Sequence, residues 1–159
     1  GRIGSNCAKY AKSMGMKVLT YDPYKKVKSN YAIKVNNLKK FLKNSDILLI
    51  SVHLNSQTQN MINSKWFGFM KKNSYLINIS RGEILNEEAL IKNLRSKKIL
   101  AAAVDVIKNE SEDISKNKLV KYAIKNNNLI ITPHIAGLTF DSEYKAAKQT
   151  ILTLNNFFK

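Results

Sequence analysis

Six short apolar runs alternate with amphipathic stretches along the chain. The runs are residues 17–22, 32–35, 47–52, 75–80, 100–106 and 129–132. Several of them, such as "ILLISV" and "LAAAVDV", are continuous rather than alternating, the pattern of a strand buried on both faces. Between them, apolar positions recur at helical spacing over residues 2–14, 38–43, 87–97, 118–125 and 141–158. Gly15 is placed to end the first helix, and Asn37, Asn86 and Thr139 stand where helix caps belong. Acids open the 87–97 stretch and Lys and Arg close it, as the helix dipole favours. Strand and helix in regular alternation predict an α/β fold, a doubly wound parallel sheet.

Composition changes this picture little. At 159 residues and 44% hydrophobic content, the chain can build one domain with its own core. No run is long enough to span a bilayer, and no secretory signal opens the sequence. Cys7 is the only cysteine, so neither an internal disulfide nor a cysteine metal cluster is expected, and a reducing, cytoplasmic setting fits. The net charge of +16 points toward polyanions, but the lysines are spread along the whole chain and only Arg2, Arg81 and Arg95 are arginines. That distribution reads as a solvated basic surface, without specific nucleic-acid or membrane binding.

Chemistry gathers at two places. The first is "GRIG" at the start of the first helical stretch. Gly1 and Gly4 match the last four positions of a G-x-G-x-x-G dinucleotide loop, whose glycines admit a pyrophosphate and let helix and strand pack closely. Asp22 follows Gly4 by eighteen residues, at the end of the next strand. An acid there can bond the ribose hydroxyls and repels a 2′-phosphate, which favours NAD over NADP. The second place is the set of strand ends: Arg81 follows "YLINIS", Glu110 lies past "LAAAVDV", and His134 follows "LIIT". Ligands of open parallel sheets sit at those ends. An Arg matches a carboxylate, a His moves a proton near neutrality, and a carboxylate holds the His ring. Taken singly, each has a plain structural alternative: a strand-exit turn, a charged surface loop, a loop histidine.

The segments "GRIG", "GMKVLTYDPY", "INISRGEILNEEAL", "AAAVDVIKNE" and "TPHIAG" cover nearly the whole chain. In that order the sequence resembles the NAD-binding domain of the D-isomer-specific 2-hydroxyacid dehydrogenases, D-3-phosphoglycerate dehydrogenases among them. The resemblance implies a Rossmann-type sheet and hydride transfer between NAD and a D-2-hydroxy acid, 3-phosphoglycerate-like acids included. It assigns His134 as acid/base, Glu110 as its partner and Arg81 as anchor of the substrate carboxylate. Its NAD contacts fall on Gly1, Arg2, Ile3 and Gly4 at the pyrophosphate, Asp22 at the adenosine ribose, Thr58, the backbone of Ile79, Ser80 and Arg81, Asp105 near the nicotinamide amide, and His134 with Gly137. It also implies a homodimer joined through this domain.

Departures from the family pattern are Ser111 in place of the usual Pro after the Glu, "AGLT" in place of a Gly pair, and a shorter loop "HLNSQT" without its Pro, touching His53, Leu54 and Thr58. Cys7 is expected to be a small buried packing residue, and Trp66 to belong to the core or an interface. The family's pattern further implies that the first strand of the sheet and the first loop glycine precede Gly1. On that expectation residues 1–140 form an N-terminally truncated NAD-binding domain, and 141–159 a helix returning toward an absent substrate domain. The isolated chain would then be poorly stable and lack turnover. Two other readings stay open from sequence: a non-catalytic NAD-sensing module of the corepressor type, and a basic nucleic-acid binder.

Overall fold

The computed structural model describes residues 1–25 and 30–158. Six strands and six α-helices are described: α1 (Arg2–Ser13), β1 (Leu19–Thr20), β2 (Ile33–Lys34), α2 (Leu38–Lys43), β3 (Ile47–Ile50), α3 (Ser64–Phe69), β4 (Ser74–Asn78), α4 (Glu87–Arg95), β5 (Ile99–Val104), α5 (Lys118–Ala123), β6 (Leu129–Ile131) and α6 (Phe140–Phe157). Every strand pairing is parallel. β1 and β2 form a two-stranded sheet, while β3-β4-β5-β6 form a four-stranded sheet in chain order. Parallel neighbours need crossover connections. α3, α4 and α5 supply them between successive strands of the larger sheet.

The helix ends follow from local chemistry. Side-chain oxygens of Asn37, Asn86 and Asn117 accept hydrogen bonds from the first-turn amides of α2, α4 and α5. Thr139 and Ser142 form a reciprocal capping box on α6. Gly15, at φ +83°, takes the left-handed conformation just past α1. Residues 64–69 were not expected to be helical. Their sequence, "SKWFGF", has weak intrinsic propensity, and the helix forms because Asn63 caps it and Phe67 is driven into the core.

The core lies between the four-stranded sheet and the layer α2 to α5. Leu48, Ile50, Leu76, Val104 and Leu129 face it from the strands, and Leu42, Phe67, Leu90, Leu94 and Leu119 face it from the helices. Trp66 packs against the edge of this core, while Cys7 is half-buried rather than fully so. The continuous apolar runs do not bury both faces. Ile47, Tyr75 and Ile130 stand on the opposite face and remain 45%, 43% and 63% exposed, so their apolar character reflects a second face that only one helix layer leaves open. α6 buries none of its residues. Among the described residues, no helix is long and apolar enough to cross a membrane.

The strands are also shorter than the apolar runs. β4 stops at Asn78 and β5 at Val104, so that Ile79, Ser80 and Asp105 leave the ladder and enter the loops beyond it. Those loops build the site.

Candidate active site

Because the sheet is parallel, β3 to β6 all end at one edge. There, a cleft of about 370 Å³ is lined by Arg81, Glu110 and His134, with Glu83, Ser111 and Glu112 beside them. The three residues picked from the strand ends thus meet in one cavity.

His134 carries the left-handed backbone, φ +54°, which costs energy for a residue with a β-carbon and persists only where neighbours fix it. Its amide donates to the carbonyls of Asp105 and Thr132, at 2.9 and 3.0 Å. Its ring nitrogen Nδ1 lies 2.7 Å from Glu110 Oε2. The other Glu110 oxygen, Oε1, accepts from the Ile107 amide at 3.0 Å. The carboxylate is therefore fixed at both ends, and with the Nδ1 proton directed at it, Nε2 is the nitrogen left to exchange a proton with a ligand.

Asp105 shapes the same turn from inside. It is 6% exposed. Oδ1 accepts from the Thr132 hydroxyl at 2.5 Å and the Ile135 amide at 3.1 Å, and Oδ2 accepts from the Ala136 amide at 2.9 Å. Burial alone would raise its carboxyl, but these hydrogen bonds outweigh burial and hold it below the usual carboxylate range. Both oxygens clamp the 132–136 turn that carries His134.

Arg81 projects from the turn after β4, with Nη1 donating to the Ser80 carbonyl at 2.6 Å. The next residue, Gly82, has no room for a side chain. A β-carbon there would stand 2.0 Å from the carbonyl carbon and oxygen of Ile107 and 2.4 Å from the Lys108 nitrogen. The Arg81 turn and the Glu110 loop thus touch backbone to backbone. Glu87 at the start of α4 holds the loop from behind, its Oε1 accepting from the Lys108 amide at 2.7 Å. Burial pushes the Glu87 carboxyl up despite that bond.

The residues of the glycine loop collect elsewhere. α1 begins at Gly1 with no side-chain cap and no acid in its first turn, so its leading amides are open to an anion. A β-carbon on Gly4 would stand 2.6 Å from Ser51 Oγ, so α1 lies close to the end of β3 here and a side chain at this position would turn the Ser51 hydroxyl aside. Asp22 Oδ1 accepts from the Tyr24 and Lys25 amides, both at 3.0 Å, and among the described residues nothing donates to Oδ2. Its partial burial works against ionisation, but those amides lower its carboxyl overall. Uncapped amides, a close approach of α1 at Gly4 and the Asp22 carboxylate fit the pyrophosphate and ribose of a dinucleotide. Arg2 faces α6 across a separate cleft of about 550 Å³, and Ile3 is 62% exposed.

Thr58 is half-buried and ties its own loop. Its hydroxyl donates to the His53 carbonyl at 2.6 Å and accepts from the Asn55 amide at 2.8 Å. Gly137 is exposed, and its carbonyl accepts from Ser142 at the start of α6. Sequence reasoning did not single out Asn78, Gly82 or Thr132. For Asn78 a signal exists: it is the one amide inside the apolar run "YLINI". It is fully buried.

Comparison with known proteins gives a consistent result. The sequence signature described as D-isomer specific 2-hydroxyacid dehydrogenase, NAD binding domain, matches residues 1–136. A Staphylococcus saprophyticus protein assigned as a 2-hydroxyacid dehydrogenase is 38% identical over 98% of the chain, which covers 49% of that relative. Among solved structures, D-lactate dehydrogenase with NAD+ from Lactobacillus jensenii is similar with a TM-score of 0.81 and 35% identity, over 87% of this chain and 44% of that one. D-2-hydroxyisocaproate dehydrogenase is similar with a TM-score of 0.91 and 28% identity, over 100% of this chain and 51% of that one. The chain thus spans about half the length of these proteins.

Proposed function

The chain belongs to the D-isomer specific 2-hydroxyacid dehydrogenase family, and from that premise we propose that it supports NAD-dependent interconversion of a D-2-hydroxy acid and its 2-oxo acid. The observation that carries this reading is the convergence of Arg81, Glu110 and His134 on one cleft at the carboxyl edge of the sheet.

In the direction of reduction, the Arg81 guanidinium binds the substrate carboxylate and draws electron density from the oxygen at C2. His134 Nε2 gives its proton to that oxygen, and Glu110 at Nδ1 stabilises the charged ring until it does so. NADH, when bound, supplies the hydride. Gly1 to Gly4 and the leading amides of α1 hold the pyrophosphate. Asp22 accepts from the ribose hydroxyls through Oδ2. Asp105 acts through the turn it clamps, with Thr58 and the 79–81 backbone closing the cofactor side. 3-Phosphoglycerate-like acids fall within the proposed substrate class. A cytoplasmic homodimer is part of the same proposal and rests on the family resemblance.

The cofactor half of this reading is tested by titrating NADH while following its fluorescence. Asp22→Ala is expected to weaken NADH about tenfold or more, the size of a lost hydrogen bond to a charged group, and to narrow the preference for NADH over NADPH. Equal affinities of wild type and variant for NADH would count against Asp22 as the ribose acceptor.

A further inference from the structure

We propose that Asn78 is a positioning residue for substrate binding: its buried amide holds the backbone on both sides of the Ser80–Arg81 peptide, at the Ser80 N–H and at the Arg81 carbonyl. The inference rests on the reading of Arg81 as the carboxylate anchor.

Asn78 is the last residue of β4 and is 0% exposed. Its Oδ1 accepts from the Ser80 amide at 3.0 Å, and its Nδ2 donates to the Arg81 carbonyl at 3.1 Å. The side chain therefore brackets the turn, one hydrogen bond on each side of Arg81. Between them lies the Ser80 carbonyl, which receives the Arg81 Nη1. Asn78 thus holds the peptide before Ser80 at its N–H and the peptide after Arg81 at its carbonyl, and the Ser80–Arg81 peptide, whose carbonyl receives the guanidinium, is confined between those two planes. Asn78 also reaches the other half of the site, since its main-chain carbonyl accepts from the Asp105 amide at 2.9 Å. Asp105 is the residue that clamps the His134 turn.

Two neighbours extend the same arrangement. Ser80 Oγ donates to the Ile50 carbonyl and accepts from the Val52 amide, at 3.1 and 3.0 Å, which joins the turn to the end of β3. Gly82 presses the other end against Ile107. With the flanks held by Ser80 and Gly82, the amide of Asn78 remains to set the twist of the peptides between them. Only an amide offers both the acceptor and the donor this turn uses. An apolar residue of equal size would fill the space and leave the Ser80 N–H and the Arg81 C=O without these partners.

Asn78→Ala removes both hydrogen bonds. Asn78→Asp keeps the shape and the acceptor for Ser80 but offers the Arg81 carbonyl no donor. In the full-length gene product that carries this chain, with NADH and pyruvate as probes, both variants are expected to raise KM for pyruvate about tenfold or more, with a smaller fall in kcat and an unchanged dissociation constant for NADH. Independently of turnover, hydrogen exchange at the Ser80 amide is expected to speed up in Asn78→Ala, which removes its acceptor, and to stay protected in Asn78→Asp, which keeps it. Unchanged exchange at Ser80 in Asn78→Ala overturns the proposal, and so does an unchanged KM in folded variants. A uniform loss of NADH affinity, kcat and pyruvate affinity in step with thermal stability overturns it too, because a merely structural role would do that. Failure of both variants to fold likewise overturns it. If the wild-type protein oxidises no NADH with any 2-oxo acid, the functional reading above falls, while the exchange measurements still decide the role of Asn78.

Discussion

In the full-length gene product that carries this chain, replacing His134 by Asn is expected to cut NADH oxidation with a 2-oxo acid by about a thousandfold, within the range that positioned acid–base groups contribute. Asn is the informative replacement. His134 sits at φ +54°, and Asn tolerates that left-handed conformation better than Ala does. The backbone bonds from the 134 amide to Asp105 and Thr132 are therefore retained, and the Asp105 clamp on the amides of Ile135 and Ala136 is untouched. What is lost is a ring that Glu110 holds at Nδ1 while Nε2 exchanges a proton. NADH affinity should change little. Steady-state rates beside an NADH titration separate the two effects. A variant that keeps more than about a tenth of the rate would remove His134 from the proton transfer.

The second large effect is structural in origin and catalytic in consequence. In Gly82→Ala, the new β-carbon would lie 2.0 Å from backbone atoms of Ile107 and 2.4 Å from the Lys108 nitrogen. A flexible side chain could swing away, but these atoms belong to a chain segment that must move as a whole. That segment is anchored by Glu87 at Lys108, and its Ile107 amide orients Glu110. Relief of the clash therefore costs those hydrogen bonds as well. Gly82→Ala is expected to lower stability by about 3 kcal/mol or more, the upper range for forcing atoms into a packed site. In the folded fraction it should lower turnover about a hundredfold, as displacement of a catalytic group by roughly 1 Å does. Urea unfolding followed by circular dichroism measures the first effect and single-turnover kinetics the second. Unaltered stability would mean that the two loops do not meet as described.

Both expectations draw on contacts that could not be read from the chain. The strands were legible because apolar runs of strand length separate the polar stretches, and α2 and α4 because Asn37 and Asn86 mark their starts. α3 was not legible: Gly68 and three aromatic residues mask it, and burial of Phe67 decides it. The ends of the strands were misjudged for a physical reason. Ile79, Ser80 and Asp105 continue an apolar or compact run, yet they leave the ladder to make loop contacts.

The same holds within the site. Arg81, Glu110 and His134 stood out because charged and titratable residues follow buried strands, a pattern visible in one dimension. The tasks of Asn78, Gly82 and Asp105 depend on partners brought near by the fold. Gly82 meets residues 25 positions later, and Asp105 holds amides 30 and 31 positions away. The resemblance to relatives points to Asp105 as a contact for the nicotinamide amide, and in the structure its two carboxylate oxygens also hold the turn of His134, a second task that no one-dimensional pattern shows.

The central claim is that the cleft at the carboxyl edge passes a hydride between NADH and C2 of a 2-oxo acid. The most direct measurement is to incubate the full-length gene product that carries this chain with NADH bearing deuterium at both C4 positions and a 2-oxo acid such as pyruvate, and to analyse the product by mass and by chiral chromatography. The account predicts deuterium at C2 of a D-configured 2-hydroxy acid, with none formed by the His134→Asn variant above its residual rate. NADH binding without deuterium transfer to any 2-oxo acid, or transfer giving the L product, would contradict it.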